Sequence, residues 1–403
     1  MTNLNEINET KQRNKAVRKD LFEAKKLYQS KEYSKALDIY ESHYKQYSEL
    51  FNKWDRIFYS WSIYQLKVKD QQDEVELFES VELITELIPQ ADLNKSPVCA
   101  YTLSVFKVLN YLKDNNDWEY MLYWLDKLNP DLLDEKQGQS GDRLFPSNRE
   151  KYYNFASKAF LECRDYSECI DVSKKALQSL SKFANNSDVW YNWRIAKSLK
   201  ELNQNEEALV YLKQVSKVKR DWFVSKEIAE NYYILNDTDN ALEYITNAVL
   251  TKDPANIKVN LYYLTYRILK DDNPDLALKH AELYAALKLQ SDSVLPDDIE
   301  ELLIDEESLD ANQLEREIKD YWSNFRFKDQ ELQYGTITKV FEHGKSGFIT
   351  SINDESLYFK SFEFKDNRKF MKVGQYVSFY TQKSFDKSKN RESLNAVNIK
   401  IGD

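Results

Sequence analysis

The sequence predicts a multidomain α + β protein, an α-solenoid of helix-turn-helix repeats followed by a small five-stranded antiparallel β-barrel. Three observations predict it. Only 7 glycines occur in 403 residues, and Gly335, Gly344, Gly347, Gly374 and Gly402 all lie in the last segment. Glycine collects where backbone turns sharply or passes close to something, so the architecture changes there. Before that segment, long helix-compatible runs come in pairs that repeat one spacing. Within it, short apolar runs alternate with polar residues, which is the strand pattern.

The chain opens Met1-Thr-Asn-Leu-Asn-Glu-Ile-Asn, with no basic start and no apolar run, so no secretory signal is expected. Residues 1–15 read as a frayed, disordered start. Cys99, Cys163 and Cys169 are too few for a disulfide scaffold and lack metal-ligand spacing. They suit a reducing, cytoplasmic location. No apolar run reaches the length needed to span a membrane. The net charge of −10 is unevenly placed. From Tyr334 onward twelve basic side chains face eight acidic ones, a balance of +4 that leaves −14 for the rest. An acidic body with a basic module fits a scaffold whose end meets a polyanion.

Residues 16–327 read as stacked helix pairs. The clearest unit has Ile228-Ala229 and Tyr232, a turn at Asn236–Asn240, then Ala241, Ile245 and Ala248. Others place Ala196 before Ala208, Ala156 before Ala176, Ala24 before Ala36, and Tyr262 before Ala277 and Ala281. An alanine late in one helix and early in the next lets two backbones approach. One pair cannot bury its own apolar face, so pairs must stack. The segment 51–133 is looser, with Trp54, Trp61, Trp118 and Trp124 as expected fillers and Asp117-Trp118 opening a degenerate second helix. Residues 135–147, with Gly138, Gly141 and Pro146, read as an inserted loop.

These units resemble the tetratricopeptide family, with its small-residue and aromatic positions partly kept. The resemblance implies a partner-binding groove on the first helix of each pair. Trp190, Trp193, Lys197 and Lys200, then Lys226, Glu230 and Tyr233, would face it. The implied ligand is a protein or peptide. Ile299, Leu302 and Leu303, then Leu314, Ile318, Tyr321 and Trp322, predict a last helix that closes the stack. Residues 328–333 form a short linker that should restrict the tail.

The tail, 334–403, offers strands at 334–341, 347–352, 356–360, 375–382 and 394–401. Five antiparallel strands closing on themselves give a small β-barrel of the OB type. Gly335-Thr-Ile337, Lys345-Ser346-Gly347-Phe348-Ile349, Leu357-Tyr358-Phe359-Lys360 and Val373-Gly374-Gln375 occur in order. This segment resembles the cold-shock domain. The resemblance implies binding of single-stranded RNA or DNA, RNA placed first, by stacking on Phe348 and Tyr358. Lys339, Lys345, Ser346 and Lys360 would lie on the same face, and Lys387, Lys389 and Arg391 in a bordering loop. The sequence departs from the family at Lys339, Val340, Ser346, Lys360 and Ser361, which hold aromatic or histidine positions there. Stacking area is lost and charge gained, so binding should be salt-sensitive. Phe359 and Ile349 are expected in the core.

Catalysis is not indicated. His43, His280 and His343 are far apart, and no metal motif, nucleophile elbow or dinucleotide fingerprint occurs. His343-Gly344-Lys345-Ser346 ends like a phosphate loop, but Lys339 stands where its first glycine belongs. No cofactor or metal is expected. The expected function is a non-catalytic adaptor joining a protein partner to single-stranded nucleic acid. The alternative is a protein-binding scaffold whose barrel no longer binds nucleic acid.

Overall fold

The computed structural model describes residues 2–95, 98–291, 293–303, 309–386 and 391–402. Residues Met1–Val218 and Lys219–Asp403 form two compact units.

The first unit is helical. Helices α1 (Thr2–Gln29) and α2 (Tyr33–Tyr47) form its first pair, α3 (Lys53–Ile63) and α4 (Glu74–Leu87) follow, and then α5 (Ala100–Asn115) and α6 (Trp118–Asp126). A short hairpin, β1 (Gly138–Ser140) and β2 (Arg143–Phe145), precedes α7 (Asn148–Glu162) and α8 (Tyr166–Ser179), then α9 (Ser187–Glu201) and α10 (Asn205–Val218). The start expected to fray is helix from Thr2. No glycine or proline interrupts Thr2–Gln29, so nothing local stops the helix from extending outward. The expected loop at 135–147 folds on itself instead. Gly141 takes φ +58° at the hairpin turn, where a left-handed residue is needed.

The repeat is most visible in its turns. Each of α1, α5, α7 and α9 ends on one left-handed residue: Lys31, Asn116, Arg164 and Asn203, with φ from 57° to 64°. The next amide then reaches back to a carbonyl five residues earlier, as Asp117 does to Leu112 (3.0 Å) and Asp165 to Phe160 (2.8 Å). This satisfies the last carbonyls of the first helix. The same aspartates cap the second helix, Asp117 accepting from Tyr120 N–H and Asp165 from Glu168 N–H. One turn therefore stops one helix and starts the next. Ala24, Ala36, Ala156, Ala176, Ala196 and Ala208 are all buried at the crossings.

The expected tryptophan fillers divide. Trp124 is fully buried, and Trp61 and Trp118 pack against the core. Trp54 does not: it is 61 % exposed and walls an open cleft with Trp61, Ile57, Ile88 and Val98. It sits in the first turn of α3, where Asn52 accepts its backbone N–H.

The second unit begins with α11 (Trp222–Ile234) and α12 (Thr238–Val249), joined by the same turn at Asn236 and Asp237. Then come α13 (Val259–Leu269), α14 (Pro274–Leu289), the short α15 (Asp297–Glu300) and α16 (Ala311–Phe325). Asn273 and Pro274 replace the left-handed turn between α13 and α14. Ile318 and Trp322 bury one face of α16 in a core shared with α12 and α14.

Strands β3 (Gln333–Val340), β4 (Ser346–Ser351), β5 (Ser356–Lys360), β6 (Tyr376–Asp386) and β7 (Arg391–Ile401) close in the order β3-β4-β5-β7-β6. Ile337, Ile349, Leu357, Phe359, Val377, Phe379, Ala396 and Ile399 fill the interior. The barrel is not wholly antiparallel. β5 and β7 run parallel, with Tyr358 opposite Asn395. An odd number of strands cannot alternate all the way round a closed ring, so one parallel neighbour is forced. The bordering loop expected around Lys387, Lys389 and Arg391 is closely bounded by strand: β6 and β7 stay paired out to Asp386 and Arg391.

Candidate nucleic-acid interface

The site is built by cross-strand pairing. Lys339 on β3 lies opposite Phe348 on β4, and Phe348 opposite Tyr358 on β5. Directly opposed residues share a face. A register shift between Ile337 and Lys339 makes this row possible. Strict alternation from the buried Ile337 would turn Lys339 into the barrel. The bulge instead leaves Thr338 and Lys339 both exposed and returns Val340 to the core. Gly347 permits the close approach. A Cβ there would meet the Lys339 carbonyl at 2.2 Å and the Phe359 ring at 2.7 Å.

The aromatic surface is larger than Phe348 and Tyr358, whose ring centroids lie 5.7 Å apart, edge to face. Phe341 joins at 5.8 Å from Phe348, His343 stacks on Phe341 at 5.6 Å, and the Lys339 ammonium lies 5.0 Å from the Phe341 ring. Phe341 and His343 join the expected pair as members. Their signal was position, because they follow β3 directly and precede the turn at Gly344. That turn is fixed by Gly344 at φ +64° and by Lys345 N–H donating to His343 Nδ1 at 3.0 Å.

Lys345 and Lys360 are exposed beside this group, and the Lys360 ammonium lies 5.7 Å from Phe362, itself 60 % exposed. Ser346 differs from its expected role: it is buried where β4 meets the chain leaving β5, with Ser361 N–H bonded to the Lys345 carbonyl. Lys387 and Lys389 lie outside the described residues, as does the side chain of Arg391.

A second basic segment lies outside the expected site. Between β5 and β6, Lys365, Arg368, Lys369 and Lys372 are all exposed, with Lys369 4.8 Å from the Phe370 ring. Its two acids are turned to other use. Glu363 accepts from Asn398 N–H at 3.2 Å and Asp366 from Ile401 N–H at 2.6 Å. Four basic side chains against these two acids leave the segment net positive.

The barrel is fastened to α16. Phe327 is buried and stacks on Tyr380 at 4.6 Å and 7°, and Lys400 Nζ donates to Asn324 at 3.1 Å. Burial pushes the Arg326 guanidinium below its ordinary value, opposed by the charge of Glu363.

The expected groove residues are all half-buried. Trp190, Trp193, Lys197 and Lys200 lie on α9, in the first unit. Trp190 and Trp193 meet edge to face at 6.2 Å, and Lys197 lies 5.5 Å from the Trp193 ring. Lys226, Glu230 and Tyr233 lie on α11, in the second. Lys226 is held by Glu230 at 3.0 Å and Glu227 at 3.9 Å, and Tyr233 donates to the Arg267 carbonyl at 3.3 Å.

Among the described residues no helix is long and apolar enough to cross a membrane, and no group of three or more His, Cys, Asp or Glu could hold a metal ion.

No family model matches the sequence, and no curated protein matches it. Solved structures do align with the fold. BtubC from P. vanneervenii is 13 % identical, covers 55 % of this chain and 92 % of its own, and has a TM-score of 0.40. A tetratricopeptide repeat protein from Parabacteroides merdae is 14 % identical over 75 % of this chain and 99 % of its own, at 0.35. Human IFIT1, as a dimer with m7Gppp-AAAA, is 15 % identical over 78 % of this chain and 72 % of its own, at 0.39. Likeness at this level carries no functional weight.

Proposed function

We propose that the protein is a non-catalytic adaptor. Its barrel binds single-stranded nucleic acid, RNA ahead of DNA, as an OB-type module of the cold-shock kind, and its helical repeats hold a protein partner. The repeats span 16–327 and the binding module 334–403, joined by 328–333. The observation that supports this reading is the outward row of Lys339, Phe348 and Tyr358, extended by Phe341 and His343. Bases present a π-face to such rings whatever their sequence, and lysines at the rim follow the phosphates. The rings lost relative to the family are partly replaced by Phe341, and the added cations shift the balance toward electrostatics.

The test is fluorescence anisotropy of the full chain with labelled oligouridylate at low and raised salt. Phe348→Ala and Tyr358→Ala should each weaken binding by about 1–3 kcal/mol, the usual range for one stacked base. Absence of binding at low salt, or full affinity in a folded double variant, favours a scaffold that works through protein contacts alone.

A further inference from the structure

The barrel carries a second aromatic pair that the row above does not use. Tyr334 on β3 and Tyr376 on β6 stack at 6.1 Å and 11°, yet stay 36 % and 40 % exposed. Tyr376 lies opposite Thr336, and Thr336 opposite Thr350, so these three share one outward row. Beyond Tyr334 its carbonyl accepts from Ile352 N–H at 3.0 Å, and Ile352 is 67 % exposed. This row and the Lys339-Phe348-Tyr358 row are neighbours on one surface. With about 4.8 Å between strands and about 3.3 Å per residue along them, Phe348 and Tyr376 stand roughly 12 Å apart.

The surface between them suits a polyanion. In a chain with 67 Asp and Glu, strands β3, β4 and β5 contain none, and β6 has none before Asp386. The intervening side chains are hydroxyls. Thr350 and Thr338 meet at 3.2 Å, and Thr338 donates to the Phe348 carbonyl at 3.3 Å. No carboxylate on β3, β4 or β5 opposes a phosphate chain crossing this face, and aromatic rings stand at both ends.

We propose that a single strand bound at Phe348 and Tyr358 continues diagonally across β3 and stacks a further base on the Tyr334–Tyr376 pair. This rests on the nucleic-acid reading given above and defines where its ligand runs. The two stations differ in character. Lysines surround the first, whereas the second offers rings and hydroxyls. Loss of the second should therefore lower affinity without changing its dependence on salt.

The experiment uses the full chain and an oligouridylate of about ten nucleotides, within the usual footprint of one such barrel, substituted with photoreactive 5-iodouridine. Crosslinks should map to Tyr334 or Tyr376 as well as to the Phe341–Tyr358 group. Tyr334→Ala with Tyr376→Ala should weaken binding roughly tenfold, the size expected for one stacked base, at an unchanged salt slope. Crosslinks confined to the Phe341–Tyr358 group, with wild-type affinity in the Tyr variant, overturn the second station alone. The crosslink map needs no substitution, so it decides the matter even where the double variant fails to fold. Failure of the unsubstituted protein to bind at low salt overturns the nucleic-acid reading, and the path falls with it.

Discussion

The indole N–H of Trp322 donates to Nε2 of His280 across 3.0 Å, inside the core that joins α16 to α14. The accepting Nε2 places the ring hydrogen on Nδ1. Burial pushes this imidazole down from 6.5 to about 3, so the folded chain keeps it neutral while the unfolded chain protonates it. Its contribution to stability is full above about pH 6.5 and falls as pH drops toward 3. Urea unfolding of the wild type against His280→Gln should show a gap that narrows from pH 7 to 4.5. A constant gap would show that protonation of His280 is not coupled to folding. Trp322→Phe, which leaves Nε2 unpaired, should cost about 1–3 kcal/mol at pH 7.

Phe327 and Tyr380 hold the barrel against the end of α16. Phe327→Ala should cost about 3–5 kcal/mol, as for other buried phenylalanines. It should also open the neighbouring bonds at Arg326 and Lys328 to trypsin. Cleavage at the wild-type rate would mean the stack does not order this junction.

Arg164 is an exposed residue in a left-handed turn. Glycine meets no Cβ penalty there, so Arg164→Gly should stabilise the first unit by about 1 kcal/mol. The readout is a raised urea midpoint at an unchanged slope. Lys31 and Asn203 occupy equivalent turns, and Lys31→Gly should behave alike.

Gly347 tolerates no side chain, given the 2.2 Å and 2.7 Å contacts a Cβ would make. Gly347→Ala should destabilise the barrel by about 3 kcal/mol, at the upper end of the cost of overpacking. Near-ultraviolet signals from barrel aromatics should melt early while far-ultraviolet helical signal persists.

The helical pairs were legible because their determinants are local. Asn236-Asp237 and Arg164-Asp165 write a stop and a start in adjacent residues, and small residues mark the crossings. The barrel strands were legible from alternation. What escaped notice depends on relations between distant residues. Nothing near Thr338 announces a bulge, since the shift is defined by pairing with β4. Phe341 joins Phe348 only after that shift. The two acids of the β5–β6 segment bond the backbone amides of Asn398 and Ile401, partners more than thirty residues away in the chain. Trp54 and Trp124 are indistinguishable in composition, and only helix placement separates an exposed ring from a core one.

In the closed ring, β6 lies between the barrel's first strand and its last. The β6–β7 hairpin brings Ile401 opposite Val377, while Gln333 begins opposite Phe379 on the other edge of β6. Way in and way out thus stand almost side by side on one strand. Such a barrel is a cassette. It could be spliced into a surface turn of an unrelated host without stretching either junction, carrying its row of rings and lysines intact.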